Sequence, residues 1–307
     1  MDWDEFIDLT VNGLTLGSAY ALIALGFSLV YGILKLLNFA HGELFMVGAF
    51  IGWGVLNALG GPVDPAVPVW ILITLMMLFA MLGSGLLGVA VERFAYRPLR
   101  NAPRIAPLIS ALGVSFFLQN AVLLLYGGDF KTYDTFSLVD PFSRLTVGPL
   151  DVWIVRVIVV AAAMVMMVGL LVLVKRTKLG KAMRATSFDR EAAEMMGIDV
   201  NRVIVSAFFI GSALAGAAGV LVGLVFGQIN HFMGFNYGLK GFTAAVVGGI
   251  GSVPGALFGG LFIGLAEAFT SGYISNTFKD LIVFSILIVV MLVRPSGLFG
   301  RAAIQKV

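Results

Sequence analysis

Cysteine is absent from this chain of 307 residues. Disulfides, thiolate metal sites and a cysteine nucleophile are therefore excluded. Charge is scarce too: Asp, Glu, Lys and Arg make up 12% of the residues, where soluble domains carry about a quarter. Only two histidines occur, His41 and His231, and neither sits in an HExxH pattern; GxSxG and GxxxxGK[ST] are both missing. The sequence thus offers no catalytic constellation and no phosphate loop for ATP, so it does not read as an enzyme. The first eight residues, MDWDEFID, hold four acids and no base. A secretory signal needs a basic start, so this is not expected to be a cleaved one.

Apolar sequence fills the remaining space. Hydrophobic residues make up 59% of the chain and the mean hydropathy is +1.00, the composition of a polytopic membrane protein. Runs of membrane length fall at about 11–34, 36–59, 68–91, 105–127, 152–174, 203–227, 239–270 and 280–293. They are continuous rather than alternating, which points to an all-α membrane bundle of about eight apolar segments and away from a barrel. No loop is long enough for a separate soluble domain, so residues 1–307 read as one integral domain.

Orientation follows from Lys and Arg, which collect in short cytoplasmic loops. Arg93, Arg97, Arg100 and Arg104, the seven bases between Lys175 and Arg202, and Arg294, Arg301 and Lys306 all mark the cytoplasmic side. The loop 128–151, with Asp129, Asp134, Asp140 and Asp151 against Lys131 and Arg144, and the acidic N-terminus face outward. This places the C-terminus inside and the N-terminus outside. Parity then requires segment 239–270 to leave and return to one side. Its glycines 248, 249 and 251 and Pro254 divide it into two apolar halves, read as a re-entrant pair or two broken helices.

Small residues recur four apart at Gly13 and Gly17, at Gly219, Gly223 and Gly227, at Gly251, Gly255 and Gly259, and at Gly260 and Gly264. Such spacing serves close helix packing or a helix interface that shifts. The stretch NFAHGELFMVGAFIG from Asn38 echoes NYGLKGFTAAVVGGIG from Asn236, a sign of two repeats that run in opposite directions. Ionisable groups at membrane depth ask for a reason. Asn38, His41, Gly42 and Glu43, with Asn236, are candidates for a pathway or gate, although Lys35 nearby also allows a shallow, interfacial helix start. Glu267, near the end of its run, is expected to reach the outer surface. Gln119, Asn120, Gln228 and Asn230 read as helix-end or interhelical hydrogen-bonding groups.

The island 175–202, KRTKLGKAMRATSFDREAAEMMGIDVNR, interrupts this apolar sequence with charge. Thr186 or Ser187 is placed to cap a helix beginning near Phe188, with Asp189 completing a T-x-x-D box and Gly197 as the stop. Along it Phe188, Ala192 and Met195 or Met196 share an edge, while Asp189, Arg190, Glu191 and Glu194 take other faces. Such an edge suits a groove on a partner or the lipid headgroup region.

The run Glu191-Ala192-Ala193, with Gly197 four residues on, resembles the EAA motif of ABC-importer permeases, the cytoplasmic helix that couples to the ATPase. GSAYALIALGFSLVYGILK, LNFAHGELFMVGAFIG, RATSFDREAAEMMGIDVNRV and GFTAAVVGGIGSVPGALFGGLFIG together resemble the permeases of high-affinity branched-chain amino acid importers, over most of the chain from Leu14 to Pro295. Where the general motif continues with I-x-L-P, this chain has Ala207-Phe208-Phe209-Ile210, so its docking geometry need not match the general importers. The resemblance implies a multi-pass subunit of a bacterial inner membrane importer. Its partners would be two ATPases that hydrolyse ATP, a second permease and a periplasmic substrate-binding protein. The chain itself would hold no cofactor or metal and bind no nucleic acid. Residues 188–197 would be the coupling element, leucine, isoleucine and valine the cargo, with urea or short amides the alternative. A self-sufficient ion-coupled transporter would instead need a buried carboxylate or Na⁺ site, for which only Glu43 and Glu267 offer themselves.

Overall fold

The computed structural model describes residues 3–61, 65–100, 102–103, 105–138, 144–147 and 150–300. Arg104, Asp140, Arg301 and Lys306, used above for orientation, lie outside them. The long helices are α1 (Trp3–Leu34), α3 (Val69–Val91), α4 (Ile105–Tyr126), α6 (Ile154–Arg176), α9 (Val200–Phe226), α11 (Val253–Tyr273) and α12 (Lys279–Val293). Two further helices, α2 (His41–Ala58) and α10 (Met233–Gly248), pack among them. The described residues contain seven helical stretches long and apolar enough to cross a membrane. In hydrocarbon the backbone groups must be satisfied within each segment, which helices alone achieve here.

One end of the bundle is basic. There α3 continues through a π turn (Glu92–Tyr96) and a 3-10 turn (Arg97–Leu99), and α7 (Lys178–Phe188) and α8 (Arg190–Met195) join α6 to α9. At the opposite end β1 (Lys131–Thr132) pairs with β4 (Gln228–Ile229), and β2 (Arg144–Val147) forms a hairpin with β3 (Leu150–Trp153). A short helix, α5 (Thr135–Leu138), lies between them in sequence. Tyr133 stitches this end to the core: it is buried, and its hydroxyl donates to the Ala49 carbonyl at 2.5 Å.

Segment 239–270 resolves into α10 and α11, broken at Gly249–Ser252. Gly249 and Gly251 take φ of 107° and 89°, a region that only glycine enters freely. Leu298 and Phe299 donate to the Val247 and Gly248 carbonyls, so the break lies at the same end as the C-terminal segment. α11 runs from this break to the opposite end, while α10 reaches it from a start inside the bundle beside Gly42.

The packing repeats itself in inverted form. α1 lies on α11 as α9 lies on α3; α1 touches α10 as α9 touches α2; and the α2–α3 and α2–α4 contacts match α10–α11 and α10–α12. The units α1–α4 and α9–α12 run in opposite directions. The sequence echo that pairs Asn38 with Asn236 is out of register with this relation, because the short helices open at His41 and Met233. The predicted glycine spacing builds the α1–α11 contact. A Cβ on Gly264 would stand 2.2 Å from the Gly17 nitrogen, and one on Gly17 would stand 2.8 Å from the Leu261 Cα. Backbones approach this closely because lipid gives helices no hydrophobic reason to associate and packing must supply it.

Candidate functional site

Two regions carry the predicted functional residues. The first is the corner between α7 and α8. Thr177, not Thr186 or Ser187, caps the first of these helices, its hydroxyl accepting from the Gly180 N–H. Thr186 and Ser187 sit in the last turn of α7, and Phe188 ends it. Asp189 is itself the N-cap of α8, with an extended φ of −154° and a carboxylate that accepts from the Ala192 N–H at 3.1 Å. The predicted nine-residue helix from Phe188 is thus the six-residue α8 alone, with Phe188 closing α7 and a bend at Asp189 between them. Ser, Thr and Asp all cap well, and the sequence TSFD offers several starts. The predicted stop is correct: Gly197 has φ of 81°, the Ile198 N–H reaches the Ala193 carbonyl, and Gly197 reaches Glu194, a Schellman closure.

A helix of six residues cannot hold itself together in isolation. Besides its two caps, α8 is fastened from beneath. The Arg190 guanidinium donates through Nη2 to the Ile33 carbonyl at 2.7 Å, using one of the free carbonyls at the end of α1. Ala193 is buried under the corner. The other edge is bare: Phe188, Met195 and Met196 are 86%, 89% and 82% exposed, and Ala192, Glu191 and Glu194 face outward with them.

The second region lies inside the bundle, below the basic end. Lys35 marks the basic end, but residues 35–40 turn back into the bundle and α2 begins inside it. The turn starts at Lys35 with φ of 55°, and the Tyr96 hydroxyl holds it from above through the Leu37 carbonyl and Asn38 Oδ1 at 3.0 and 3.2 Å. His41 packs edge-on to Phe27 at 4.7 Å between centroids, and its ring occupies the space beside Gly26. Gly26 is about 12 Å along α1 from its end at 1.5 Å per residue. This helix therefore starts inside the protein rather than on its surface: Asn38, His41 and Glu43 are each 2% exposed or less.

This cluster is under-satisfied. His41 Nε2 has no partner among the described residues, and neither do Asn38 Nδ2 and Glu43 Oε2. Glu43 Oε1 accepts from Ser115 of α4 at 3.0 Å. Beside it lies a cavity of about 40 Å³, lined by Glu43, Ser115, Phe27, Phe39 and the first turns of α10, with room for a water. Gly42 faces α10 directly: a Cβ there would stand 2.3 Å from the Gly234 carbonyl oxygen and 2.9 Å from the Gly238 Cα. The two inverted short helices meet at this point. Asn236 is exposed on the outside of α10, apart from the buried cluster. Gly42→Val should lower the melting temperature of the purified protein and its folded yield, because the obstacle is backbone and overpacking costs about 1–3 kcal/mol or more. Gly54→Ala on the same helix, where a Cβ meets nothing within 4 Å, should leave both unchanged. Equal behaviour of the two variants would contradict the close approach.

A third group escaped the sequence reading. Glu267 does not reach the surface: it is 4% exposed, accepts from the Tyr20 hydroxyl at 2.8 Å and pairs with Lys240 at 2.7 Å. Lys240 also pairs with Asp280 at 2.8 Å. α1, α10, α11 and α12 are tied by this network. An unaccompanied Lys inside an apolar run was the available signal. Asn120 and Asn230 make local bonds, to the Phe116 carbonyl and from the Phe232 N–H.

An inverted pair of helical units with broken helices meeting at a polar centre, and a separate exposed corner at one end, define an integral membrane permease. The chain belongs to the family of branched-chain amino acid transport system permease components, whose model matches residues 9–292. It is 42% identical to the high-affinity branched-chain amino acid transport system permease protein BraD of Pseudomonas aeruginosa, over 99% of this chain and 98% of that one. The corresponding LivH protein of Salmonella typhimurium is also 42% identical, over 98% of each chain. LivM of Escherichia coli, a permease protein of the same kind of system, is 26% identical over 94% of this chain and 69% of its own. The chain is thus a multi-pass transport component, not an enzyme.

Proposed function

We propose that this chain is one of two membrane subunits through which an ATP-driven importer moves leucine, isoleucine and valine across the bacterial inner membrane. The basic end faces the cytoplasm and the N-terminus the periplasm. Separate ATPase subunits dock on the α7–α8 corner, a periplasmic binding protein delivers the cargo, and a second permease of the kind represented by LivM completes the pathway. The observation that carries this reading is the bare edge of Phe188, Ala192, Met195 and Met196 on a helix otherwise capped and anchored. Large apolar side chains left in water at the tip of a rigid corner call for a partner, and methionine adapts to a surface that moves.

The fastening explains how force would travel. Movement of residues 188–197 pulls on α1 through Arg190 and Ile33. α1 in turn packs against α10 and α11 and cradles His41 at Gly26. Asn38, His41, Gly42 and Glu43 form the gate, because their unsatisfied polar atoms and the glycine contact with α10 allow a second arrangement at little cost. Asn236, outside this cluster, lines the pathway on the face turned to the second permease. Alternating access then amounts to rocking one inverted unit against the other.

Cysteines introduced into this cysteine-free chain test the sidedness. Asp4→Cys and Glu191→Cys, both at exposed positions, should react with an impermeant maleimide from opposite faces of sealed vesicles. Labelling from one face sinks the orientation. Uptake that persists in cells lacking every ATPase partner sinks the ATP-driven reading.

A further inference from the structure

At the basic end, the close of α1, the turn between α3 and α4, and the last turn of α7 enclose a cleft of about 370 Å³. Its volume falls in the range of small-ligand pockets, about 300–1,000 Å³. Lys35, Arg100 and Arg190 all line it, and their counter-charge is short. Arg100 pairs with the buried Glu92 and donates to Asn201 Oδ1 at 2.6 Å, yet its Nε has no partner. Glu92 is not among the lining residues. Arg190 is committed to a neutral carbonyl, that of Ile33. The Lys35 ammonium lies 5.8 Å from the centre of the Tyr31 ring. Among the described residues neither Lys35 nor Arg190 makes an ion pair. Thr186, 1% exposed, lines the same cleft with its hydroxyl unpartnered.

The cations feel one another. Partial burial and the neighbouring Arg190 push the Lys35 ammonium below its ordinary value, and burial with Arg100 does the same to Arg190. A cluster of like charges with unmet donors is held together at a cost that an anion among them would reverse.

We propose that this cleft binds a phosphate-bearing anion, either the headgroup of an anionic phospholipid or free phosphate, held by Lys35, Arg100, Arg190 and the Thr186 hydroxyl. Phosphate offers enough acceptor oxygens to meet the Lys35 ammonium and, after a small side-chain opening, the buried Thr186 hydroxyl and Arg100 Nε, and guanidinium groups match its geometry. Basic pockets between membrane helices on the cytoplasmic side hold lipid headgroups by this chemistry. A bound anion would join Arg190, the anchor of α8, to the α3–α4 turn and so stiffen the corner on its support.

The full-length chain would be placed in nanodiscs of phosphatidylcholine with and without phosphatidylglycerol, and in neutral detergent with sodium phosphate or sodium chloride at matched ionic strength. Melting temperature and the lipid retained in native mass spectra are read in each. Phosphatidylglycerol, phosphate or both should raise the melting temperature. The double variant Lys35→Gln/Thr186→Val should bind at least about tenfold more weakly, the loss expected for one charge-assisted bond and one neutral one. A rise with the lipid alone assigns the site to a headgroup, and a rise with phosphate as well assigns it to the free anion. Thr186→Val alone, nearly the same in shape, should show an intermediate loss and guards against misfolding. No rise in either arm, or the same rise in the double variant, overturns the proposal. These measurements read binding by this chain and leave the docking reading untouched either way.

Discussion

Met195→Asp is expected to abolish co-purification of this chain with an ATPase partner and to reduce uptake to background, while membrane insertion and yield stay normal. Met195 is 89% exposed in the lone chain, so the substitution costs the free subunit nothing. Its cost arises only when a partner covers that edge, where a carboxylate without a counter-charge is left desolvated. Breaking or omitting one half of a buried pair costs about 3–5 kcal/mol, a loss of more than about a hundredfold in affinity. Ala192→Asp should behave alike from the middle of the same edge. Glu191→Gln, on the polar side, should cost little. If Met195→Asp retains its partner and its uptake, the edge is not the contact, and the lipid-lying reading of this corner takes its place.

The anchoring of that corner shows how far sequence reasoning reaches. The apolar edge, Gly197 as terminator and the basic character of the segment could all be read from residue type and spacing. The helix start could not, since Thr186, Ser187 and Asp189 are equally good caps and only tertiary contacts choose among them. Arg190 shows the same limit: nothing local says that it reaches the end of α1, 157 residues away in sequence. Span positions were legible within a few residues, apart from the starts of α1 and α10, because hydropathy records burial in lipid directly. Depth was not. A short polar group after Lys35 looks the same whether the chain lies at the interface or folds back inside, and the decisive contacts with Gly26 and Tyr96 come from other helices. The inverted relation was visible only as a faint echo in the wrong register, since glycine and valine recur in every span. Packing carries it plainly.

Lys240→Met is expected to lower stability more than any other single change in the membrane-embedded core that leaves the backbone unobstructed. It strips Glu267, on a side chain 5% exposed, of its one ion-pair partner among the described residues and leaves it with the Tyr20 hydroxyl. An uncompensated buried charge of this kind costs about 3–5 kcal/mol. Glu267→Gln should cost less, about 1–3 kcal/mol, because Lys240 keeps Asp280, which is 56% exposed and solvated. In the double variant Lys240→Met/Glu267→Gln the neutral amide still accepts from Tyr20 and no charge is stranded. Its loss should fall well short of the sum of the single losses, a coupling of at least about 1 kcal/mol for residues in direct contact. Melting in detergent of all four proteins measures this, and additive losses would remove the pair from the fold's supports. The same set separates the two ways of driving transport. An ion-coupled carrier working through Glu267 would lose uptake in the double variant whatever its stability. An importer driven from the α7–α8 corner uses this network only to hold α1, α10, α11 and α12 together, so its uptake per folded molecule should survive once the stranded charge is gone.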